Sequence, residues 1–396
     1  MNLSKEDQTL LALLGYAVFG RELTISAENV DWDQVIAEAD RHVVMAFLYP
    51  GVKRLAGVPE GVVNRIRSAA MMSAAKSDEM LHTQDAIITC LKEKGIPCAV
   101  LKGYSVACHY PYPELRVPGD IDLLARADEL ESACKALEDA GFERELTLEK
   151  HECLSRQDAW VEMHQMVTTF PDTPKGIHAK EFMTGAIERV TEAEINGVHF
   201  PILNGVDQLI GLLAHKEQHL ATSGIGLRQI CDWAVTVHAM RDTIGAKEID
   251  ELEKCGLLRF AQAVTKLCEK YLGMPPVSWC QDAPDAQADA LMKDVWEAGN
   301  FHVQGEKRPF TSVLTDAYGT GKQSVWKNYI RYIRKRLHQD YPWARNPLWI
   351  VAFGVFFPAR YGIRALLGKR RKIDIAEAVH TARSREKMLR DLNLYQ

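Results

Sequence analysis

Two aspartates, Asp120 and Asp122, lie one residue apart in the stretch RVPGDIDLLAR. The alternating pattern of this stretch predicts a β-strand, in which side chains two residues apart point to the same face. Both carboxylates then share one face, and Ile121 and Leu123 lie on the other. Like charges this close raise each other's pKa unless a cation lies between them. Mg²⁺, a hard ion that prefers oxygen ligands, is the cation that this pair predicts.

A third acidic residue belongs to a later segment, AWVEMHQM, which also reads as a strand. Its alternation places Glu162 and His164 on one face. If this strand neighbours the one that carries the aspartates, Glu162 completes a cluster of three carboxylates. Three acids around two divalent ions are what two-metal phosphoryl or nucleotidyl transfer requires. The sequence therefore predicts two Mg²⁺ ions held by Asp120, Asp122 and Glu162, with Mn²⁺ as an alternative.

The segment VLKGYS follows a short apolar run, IPCAVLKG, that reads as a buried strand. A glycine at this point, Gly103, allows backbone N–H groups to approach a phosphate, and Ser105 can donate its hydroxyl. Lys102 and Arg116 supply positive charge nearby. We expect these four residues to bind a nucleotide.

The segments LKGYS, YPYPELRVPGDIDLLAR and VEMH together resemble the DNA polymerase β-type nucleotidyltransferase superfamily. More narrowly, they are similar to a bacterial branch of uncharacterised nucleotidyltransferases. The resemblance covers residues 96–170 well and the later helices loosely. It implies the following assignments: Gly103 and Ser105 at the Gly-Ser turn, Asp120 and Asp122 at the metal pair, Glu162 as the third acid, and Arg116 and His164 as the arginine and histidine that flank these motifs in the branch.

Two features depart from the superfamily pattern. Tyr104 separates Gly103 from Ser105, where the superfamily has adjacent glycine and serine, and the distance to Asp120 is longer than usual. The activity that the resemblance implies is transfer of a nucleoside monophosphate from an NTP, ATP in the first instance, to a hydroxyl-bearing acceptor. The acceptor stays open among protein, tRNA, sugar and small molecule. A phosphotransferase on the same fold and a catalytically silent nucleotide-binding or scaffold protein are the alternatives.

The elements that position these residues predict an α+β protein, in which a small mixed sheet is flanked by helical regions. Residues 1–95 form an N-terminal helical region, with a long helix closed by Gly95. Residues 96–203 form the nucleotidyltransferase core, and residues 204–396 form a C-terminal helical region. Each boundary follows a change from helical periodicity to short apolar or alternating runs, or the reverse.

Two patterns on the predicted C-terminal helices stay open. HKEQH, at His215–His219, carries lysine where the metalloprotease motif H-E-x-x-H needs its glutamate, so a zinc protease is not indicated. It is either a substrate-facing polar patch or an ordinary polar helix face. Arg228 and Asp232, four residues apart, favour a local ion pair.

Composition limits the possible locations and partners. The chain has 396 residues, a net charge of −5 and nine cysteines without a C-x-x-C pair. Scattered thiols suit a reducing compartment, and the first 20 residues lack the basic region of an export signal. We therefore expect a cytoplasmic protein, with a peripheral place at the membrane as an alternative.

The segment 322–372 differs from the rest, because it holds 13 lysines and arginines and only one acidic residue, Asp340. Its apolar stretch NPLWIVAFGVFF is shorter than the roughly 20 residues that a membrane span needs. It is either an intramolecular basic face or a surface for a membrane or another anionic partner.

Co-sedimentation with anionic liposomes and with RNA across a salt series tests this basic segment. Binding to either partner should fall steeply with salt, since the screening length falls from about 10 Å at 0.1 M to about 3 Å at 1 M. Only the lipid should leave a salt-resistant fraction, because the apolar stretch 348–357 can insert there. If neither sediments the protein at low salt, the segment is intramolecular.

Overall fold

The computed structural model describes residues 3–299 apart from 148–150, 158 and 222–223, together with residues 385, 387–392 and 394. The chain divides into two compact units, one of residues 1–217, 225–300 and 393–396 and the other of residues 218–224 and 301–392. The sheet and the candidate site belong to the first unit. The basic segment 322–372 lies outside the described residues, and the boundaries 1–95, 96–203 and 204–396 stay a prediction.

The α-helices of the described chain are α1 (Lys5–Phe19), α2 (Trp32–Arg41), α3 (Tyr49–Val52), α4 (Glu60–Glu93), α5 (Tyr104–Ala107), α6 (Leu130–Asp139), α7 (Pro174–Thr184), α8 (Gly205–Ala221), α9 (Leu227–Ala239), α10 (Ala246–Lys254), α11 (Leu258–Leu267) and α12 (Asp285–Ala298). The strands are β1 (Cys98–Val100), β2 (Ile121–Ala125), β3 (Glu143–Thr147), β4 (His151–Arg156), β5 (Ala159–His164), β6 (Val190–Ile195) and β7 (Val198–Leu203). Among these helices, none is both long and apolar enough to cross a membrane.

Local sequence signals fix several helix ends. Ser4 and Asp7 form a capping box at the start of α1, which satisfies backbone N–H groups that the helix itself leaves unpaired. The long helix α4 ends where predicted, because Gly95 adopts a left-handed φ of 73° and the Ile96 N–H donates back to the Leu91 carbonyl over 2.9 Å. This turn delivers the chain directly into β1.

The seven strands form one mixed sheet in the order β3-β4-β5-β2-β1-β7-β6. The pairs β2–β5 and β1–β7 are parallel, and the other neighbours are antiparallel. The predicted α+β fold with a mixed sheet is confirmed. The parallel pair β2–β5 matters most for function, since it joins the two strands that carry the acidic motifs.

One face of this sheet is covered by α4 and α6. Ile121 and Leu123 of β2 pack there together with Val161 and Met163 of β5, all at 0–1% exposure. Because side chains alternate along a strand, the residues between them point to the opposite face. The core packing therefore fixes which face of the sheet carries Asp122 and Glu162.

A buried ion pair ties the chain just before β2 to helix α9. The Arg116 guanidinium donates from Nε to Asp232 Oδ1 over 3.0 Å and from Nη2 to Asp232 Oδ2 over 2.7 Å. The Tyr110 hydroxyl donates to Asp232 Oδ1 as well, over 2.8 Å. The expected ion pair between Arg228 and Asp232 is thus replaced by a long-range one, because both carboxylate oxygens are engaged by Arg116.

We predict that Asp232→Asn lowers the free energy of unfolding by roughly 3–5 kcal/mol, because it leaves the Arg116 charge buried without its partner. Urea unfolding measures this change. Asp250→Asn, which breaks the exposed pair of Asp250 with Lys254, is the control and should change stability by under about 1 kcal/mol. Equal effects of the two variants would contradict the structural role of the Arg116–Asp232 pair.

Candidate functional site

The register of β2 and β5 brings the acidic motifs together. Asp122 is the direct Cα partner of Glu162, and Leu124 is the partner of His164. Asp120 lies immediately before β2, and Asp122 is 1% exposed. A three-carboxylate cluster required the two strands with acidic motifs to be neighbours. In the structure these strands, β2 and β5, lie side by side. The catalytic roles of these residues stay predictions.

Lys102 supplies the cation that the two aspartates need. Its Nζ lies 2.9 Å from Asp122 Oδ1 and 3.6 Å from Asp120 Oδ2, and 26% of its side chain is exposed. Lys102 follows β1, which pairs antiparallel with β2, so the sheet itself places the ammonium beside both carboxylates. Sequence reasoning assigned Lys102 to the nucleotide, whereas the structure shows it paired with the predicted metal ligands.

Two histidines lie on the other side of the acidic pair. His164 Nε2 is 3.0 Å from Asp122 Oδ1 and 3.3 Å from Glu162 Oε2, so it bridges the two carboxylates. His151 of β4 is the direct partner of His164 in the sheet, with ring centroids 4.6 Å apart, and its Nε2 lies 3.6 Å from Glu162 Oε2. Sequence reasoning missed His151, because the register of its strand against β5 was unknown.

These contacts separate the two aspartates electrostatically. Burial raises the pKa of Asp122, but Lys102 and His164 together hold that pKa well below its usual range. Asp120 is different, because burial and the neighbouring Asp122 charge raise its pKa to about 6. Burial lowers the pKa of His164, but its hydrogen bonds to Asp122 and Glu162 bring the pKa above the ordinary value. Asp122 is therefore ionised at neutral pH. Asp120 gains its proton as the pH falls through about 6.

The donor set fits a divalent cation. The ligand atoms of Asp122, Glu162 and His164 lie within 4.8 Å of one another, and Asp122 Oδ2 is buried without a hydrogen-bond partner. Carboxylate oxygens are the ligands of Mg²⁺ and Mn²⁺. Lys102 contacts Asp122 Oδ1 and Asp120 Oδ2, which leaves Asp122 Oδ2 as an oxygen that a cation could take without displacing the ammonium.

The predicted phosphate turn is strained for any residue except glycine. Gly103 has a φ of 67°, and a Cβ there would lie 3.1 Å from the Pro118 Cβ. Ser105, in α5, is 0% exposed and its Oγ has no hydrogen-bond partner. Its carbonyl accepts from the Gln208 amide over 2.5 Å, which anchors α5 to α8. The structure thus encloses the hydroxyl that was expected to meet phosphate, and its role stays a prediction.

Arg116 does not contact the carboxylates of β2, because its guanidinium is taken up by Asp232. It is 6% exposed, so it is placed to position the chain that leads into Asp120. The predicted contact of Arg116 with nucleotide is not tested by this arrangement. Its partner could not be found from sequence, because Asp232 lies 116 residues further along the chain.

A cavity of about 670 Å³ lies beside the ends of β2 and β5. Its lining includes Leu124, Gln165, Thr168, Phe170, Met183 and Ile187. Leu124 and Ala125, which follow Asp122 in β2, both line it, so the cavity lies at the C-terminal end of that strand. Its volume is in the range of pockets that hold small molecules.

Comparison with known proteins gives one family and one solved structure. A family model described as "Uncharacterised nucleotidyltransferase" matches residues 28–273. No curated protein shows a significant match. The chain is similar to the solution structure of the antibiotic-resistance factor ANT(2″)-Ia, with 12% sequence identity and a TM-score of 0.36, over 47% of this chain and 95% of that one. That similarity is too low to bear on substrate or mechanism.

We predict that Mn²⁺ binding strengthens as the pH rises from about 5 to 7, because Asp120, with its pKa of about 6, must lose its proton before it can bind metal. In the metal-free protein, a rise in pH acts in the opposite direction on stability: the ionisation of Asp120 lowers the free energy of unfolding. The native state holds the Asp120 proton more tightly than the unfolded chain, so this group lowers stability as pH rises from about 4 to 6.

Calorimetric titration with Mn²⁺ at several pH values measures the effect. Asp120→Asn should bind more weakly at every pH and show a flatter pH dependence. Part of the slope should survive in that variant, because protonated His164 also opposes a bound cation and loses its proton with rising pH. An affinity that stays constant between pH 5 and 7 in the unsubstituted protein would rule out Asp120 as a ligand.

Proposed function

We propose that this chain, which belongs to the uncharacterised nucleotidyltransferase family, transfers a nucleoside monophosphate from an NTP, ATP in the first instance, to a hydroxyl-bearing acceptor. The observation that carries the proposal is the register of β2 and β5, which makes Asp122 and Glu162 direct partners with Asp120 alongside. Such a cluster of acids suits divalent cations and the phosphates they bind.

In the proposed reaction the acceptor oxygen forms a bond to the α-phosphorus of the NTP. The bond between that phosphorus and the oxygen bridging to the β-phosphorus breaks, and pyrophosphate leaves. Asp120, Asp122 and Glu162 would hold Mg²⁺, as two ions, or Mn²⁺. The bound metal supplies positive charge that neutralises the phosphates and makes the acceptor hydroxyl more acidic. Glu162 accepts the hydroxyl proton, and His164 orients Asp122 and Glu162 through its two contacts.

Lys102 has two roles in this proposal. Without metal its ammonium forms ion pairs with Asp120 and Asp122 and compensates part of their charge. With a divalent cation held by the carboxylates, the Lys102 ammonium would be free to contact the phosphates of the NTP, where the turn at Gly103 and Ser105 would bind the β- and γ-phosphates. Arg116 supports this turn indirectly, by fixing the chain before Asp120. In this proposal Lys102 is a counter-ion of Asp120 and Asp122 and also a ligand of the NTP phosphates.

The cavity beside β2 and β5 is the proposed entrance for the acceptor. Its lining combines apolar side chains with the Thr168 and Gln165 side chains, and Gln165 follows His164 directly in the chain. The sequence leaves four acceptor classes open, namely protein, tRNA, sugar and small molecule. A different part of each would have to fit into this cavity.

One observation favours a second candidate, a catalytically silent nucleotide-binding protein. Lys102 already forms ion pairs with Asp120 and Asp122, so part of their charge is compensated without metal. If Lys102 keeps these ion pairs and no metal binds, the carboxylates remain a structural ion-pair cluster.

A phosphotransferase on the same fold would use the same carboxylates but break the bond to the γ-phosphorus instead.

Asp122→Asn should lower turnover by roughly a hundredfold or more, since even residues that only orient metal ligands cost 10- to 100-fold when changed. Asp139→Asn, at the exposed end of α6, is the matched control and should keep full turnover. Circular dichroism and thermal melting check that both variants are folded.

Parallel incubations with ATP labelled at the α- or the γ-phosphate, over a panel of acceptors, measure the transfer. Label transferred from the α position supports nucleotidyl transfer, and label from the γ position alone identifies a phosphotransferase. If the purified protein binds neither Mn²⁺ nor ATP, the proposal fails and the silent alternative stands.

A further inference from the structure

Helices α7 and α10 bring together three side chains of the types that bind transition metals, and none of the three belongs to the candidate site. Glu251 lies in the last turn of α10 and Cys255 directly follows that helix, so their spacing of four residues places both on one side of it. His178 of α7 faces them. One ligand atom from each of the three side chains lies within 4.8 Å of the other two.

The Glu251 carboxylate is the centre of this group. Its Oε1 lies 2.6 Å from His178 Nε2 and 3.8 Å from the Cys255 Sγ. Exposure increases from the thiol to the imidazole, because Cys255 is 0% exposed, the Glu251 side chain 16% and the His178 side chain 41%. A cation can therefore reach the carboxylate from the His178 side, with the thiol beneath it.

The spacing of these atoms is close to that of a tetrahedral zinc site. Zinc bonds of about 2.0 Å to nitrogen and oxygen and about 2.3 Å to sulfur place neighbouring ligand atoms roughly 3.2–3.8 Å apart. The distance from Cys255 Sγ to Glu251 Oε1 already lies at the upper end of this range. The His178–Glu251 hydrogen bond would have to widen by roughly 0.7 Å, which an exposed imidazole can supply by a small rotation.

The donor types select the metal. A thiolate, an imidazole and a carboxylate together suit Zn²⁺, whereas Mg²⁺ prefers oxygen ligands alone. In the metal-free protein, burial and the Glu251 charge raise the pKa of the Cys255 thiol to about 12, so the thiol carries its proton. On binding, the Zn–S bond replaces the S–H bond and this proton passes to solvent.

We propose that His178, Glu251 and Cys255 bind a Zn²⁺ ion, with water as its fourth ligand, and that this ion joins α7 to α10. The inference is independent of the proposed nucleotidyl transfer. A surface ion pair already joins the same helices, since Lys175 Nζ lies 2.8 Å from Glu253 Oε1. A second pair of that kind would account for His178 and Glu251, but it would give no role to a thiol directed at the same carboxylate oxygen.

The position of α7 gives the zinc site a consequence for the rest of the fold. Lys180, Met183 and Thr184 of this helix line the cavity beside β2 and β5. A zinc ion between His178 and the end of α10 would therefore fix one wall of that cavity. Its role would be structural, because it holds a helix in place without taking part in phosphate chemistry.

Titration of the full, metal-free chain with Co²⁺ tests the site, because cobalt bound to a thiolate gives a charge-transfer absorption that oxygen and nitrogen ligands do not. A phosphine keeps the cysteines reduced without adding a competing thiol. We expect this absorption to saturate and then to disappear when Zn²⁺ displaces the cobalt. Cys255→Ser should abolish the part of the absorption that belongs to this site.

Two further cysteine variants identify the source of the signal. Cys153→Ser is required because Cys153 forms a second possible metal group with His151 and Glu162, and the absorption from Cys255 should persist in it. Cys134→Ser changes another fully buried thiol, in α6, and should bind cobalt like the unsubstituted chain. If the full absorption survives in Cys255→Ser, or disappears in Cys153→Ser alone, the inference is overturned.

His178→Ala carries the test if Cys255→Ser does not fold, since His178 is exposed and its loss should leave the fold intact. It should weaken Zn²⁺ binding at least about tenfold in calorimetry, because even residues that only orient metal ligands cost 10- to 100-fold when changed. Lys175→Met, which removes the neighbouring ion pair and no ligand, is the matched control and should keep the affinity of the unsubstituted chain. Equal Zn²⁺ affinity of His178→Ala and the unsubstituted chain would contradict the site.

Hydrogen exchange measures whether the ion joins the two helices. Zn²⁺ should slow amide exchange in α7 in the unsubstituted chain but not in His178→Ala, because local opening of α7 would then have to break a metal bond. Exchange in α7 that does not respond to Zn²⁺ in the unsubstituted chain would overturn the proposed link. Neither result depends on whether the protein transfers nucleotides, so this inference and the proposed function can fail separately.

Discussion

A buried carboxylate at the centre of the sheet determines which kinds of side chain must surround it. Asp122 is 1% exposed, and an ionised carboxylate in that position is tolerable only when cations and hydrogen-bond donors surround it. Lys102 after β1 and His164 at the end of β5 both contact its Oδ1, at 2.9 and 3.0 Å. The strand order β5-β2-β1 is what makes this possible, because it puts the Asp122 strand between its two partners.

The same arrangement gives the two aspartates different properties. Asp122 is enclosed, and Lys102 and His164 hold its pKa below its usual range, whereas Asp120 lies just before the strand with about a third of its side chain exposed and a pKa raised to about 6. A divalent ion held by this pair, as proposed, would need Asp120 to lose its proton first.

Positive charge is buried on and around helices α8 and α9. Arg116 and Asp232 form a closed pair, and Lys216 and Arg228 add two further cations beside it. Negative charge thus collects at Asp122 and Glu162 of the sheet, and buried positive charge collects on α8 and α9. Membership of a nucleotidyltransferase family agrees with this division of charge, although the family match itself names no acceptor.

The sequence by itself determined the elements and the acidic motifs. Alternation with a period of two placed Asp120 and Asp122 on one side and Ile121 and Leu123 on the other, and the glycine signals located the end of α4. These features depend on neighbours a few residues apart, which a sequence displays directly. The family resemblance rested on the same short segments, and the match over residues 28–273 confirmed it.

Only the tertiary structure decided which charges meet. The Lys102 contacts, the facing of His151 and His164, the choice of Arg116 over Arg228 as the partner of Asp232, and the enclosure of Ser105 and Lys216 all depend on strand register and helix packing. Periodicity shows which face a residue occupies but not what lies opposite that face. The partners of a buried charge are chosen by the fold, because the low-polarity interior makes each such charge depend on whichever opposite group the packing brings near.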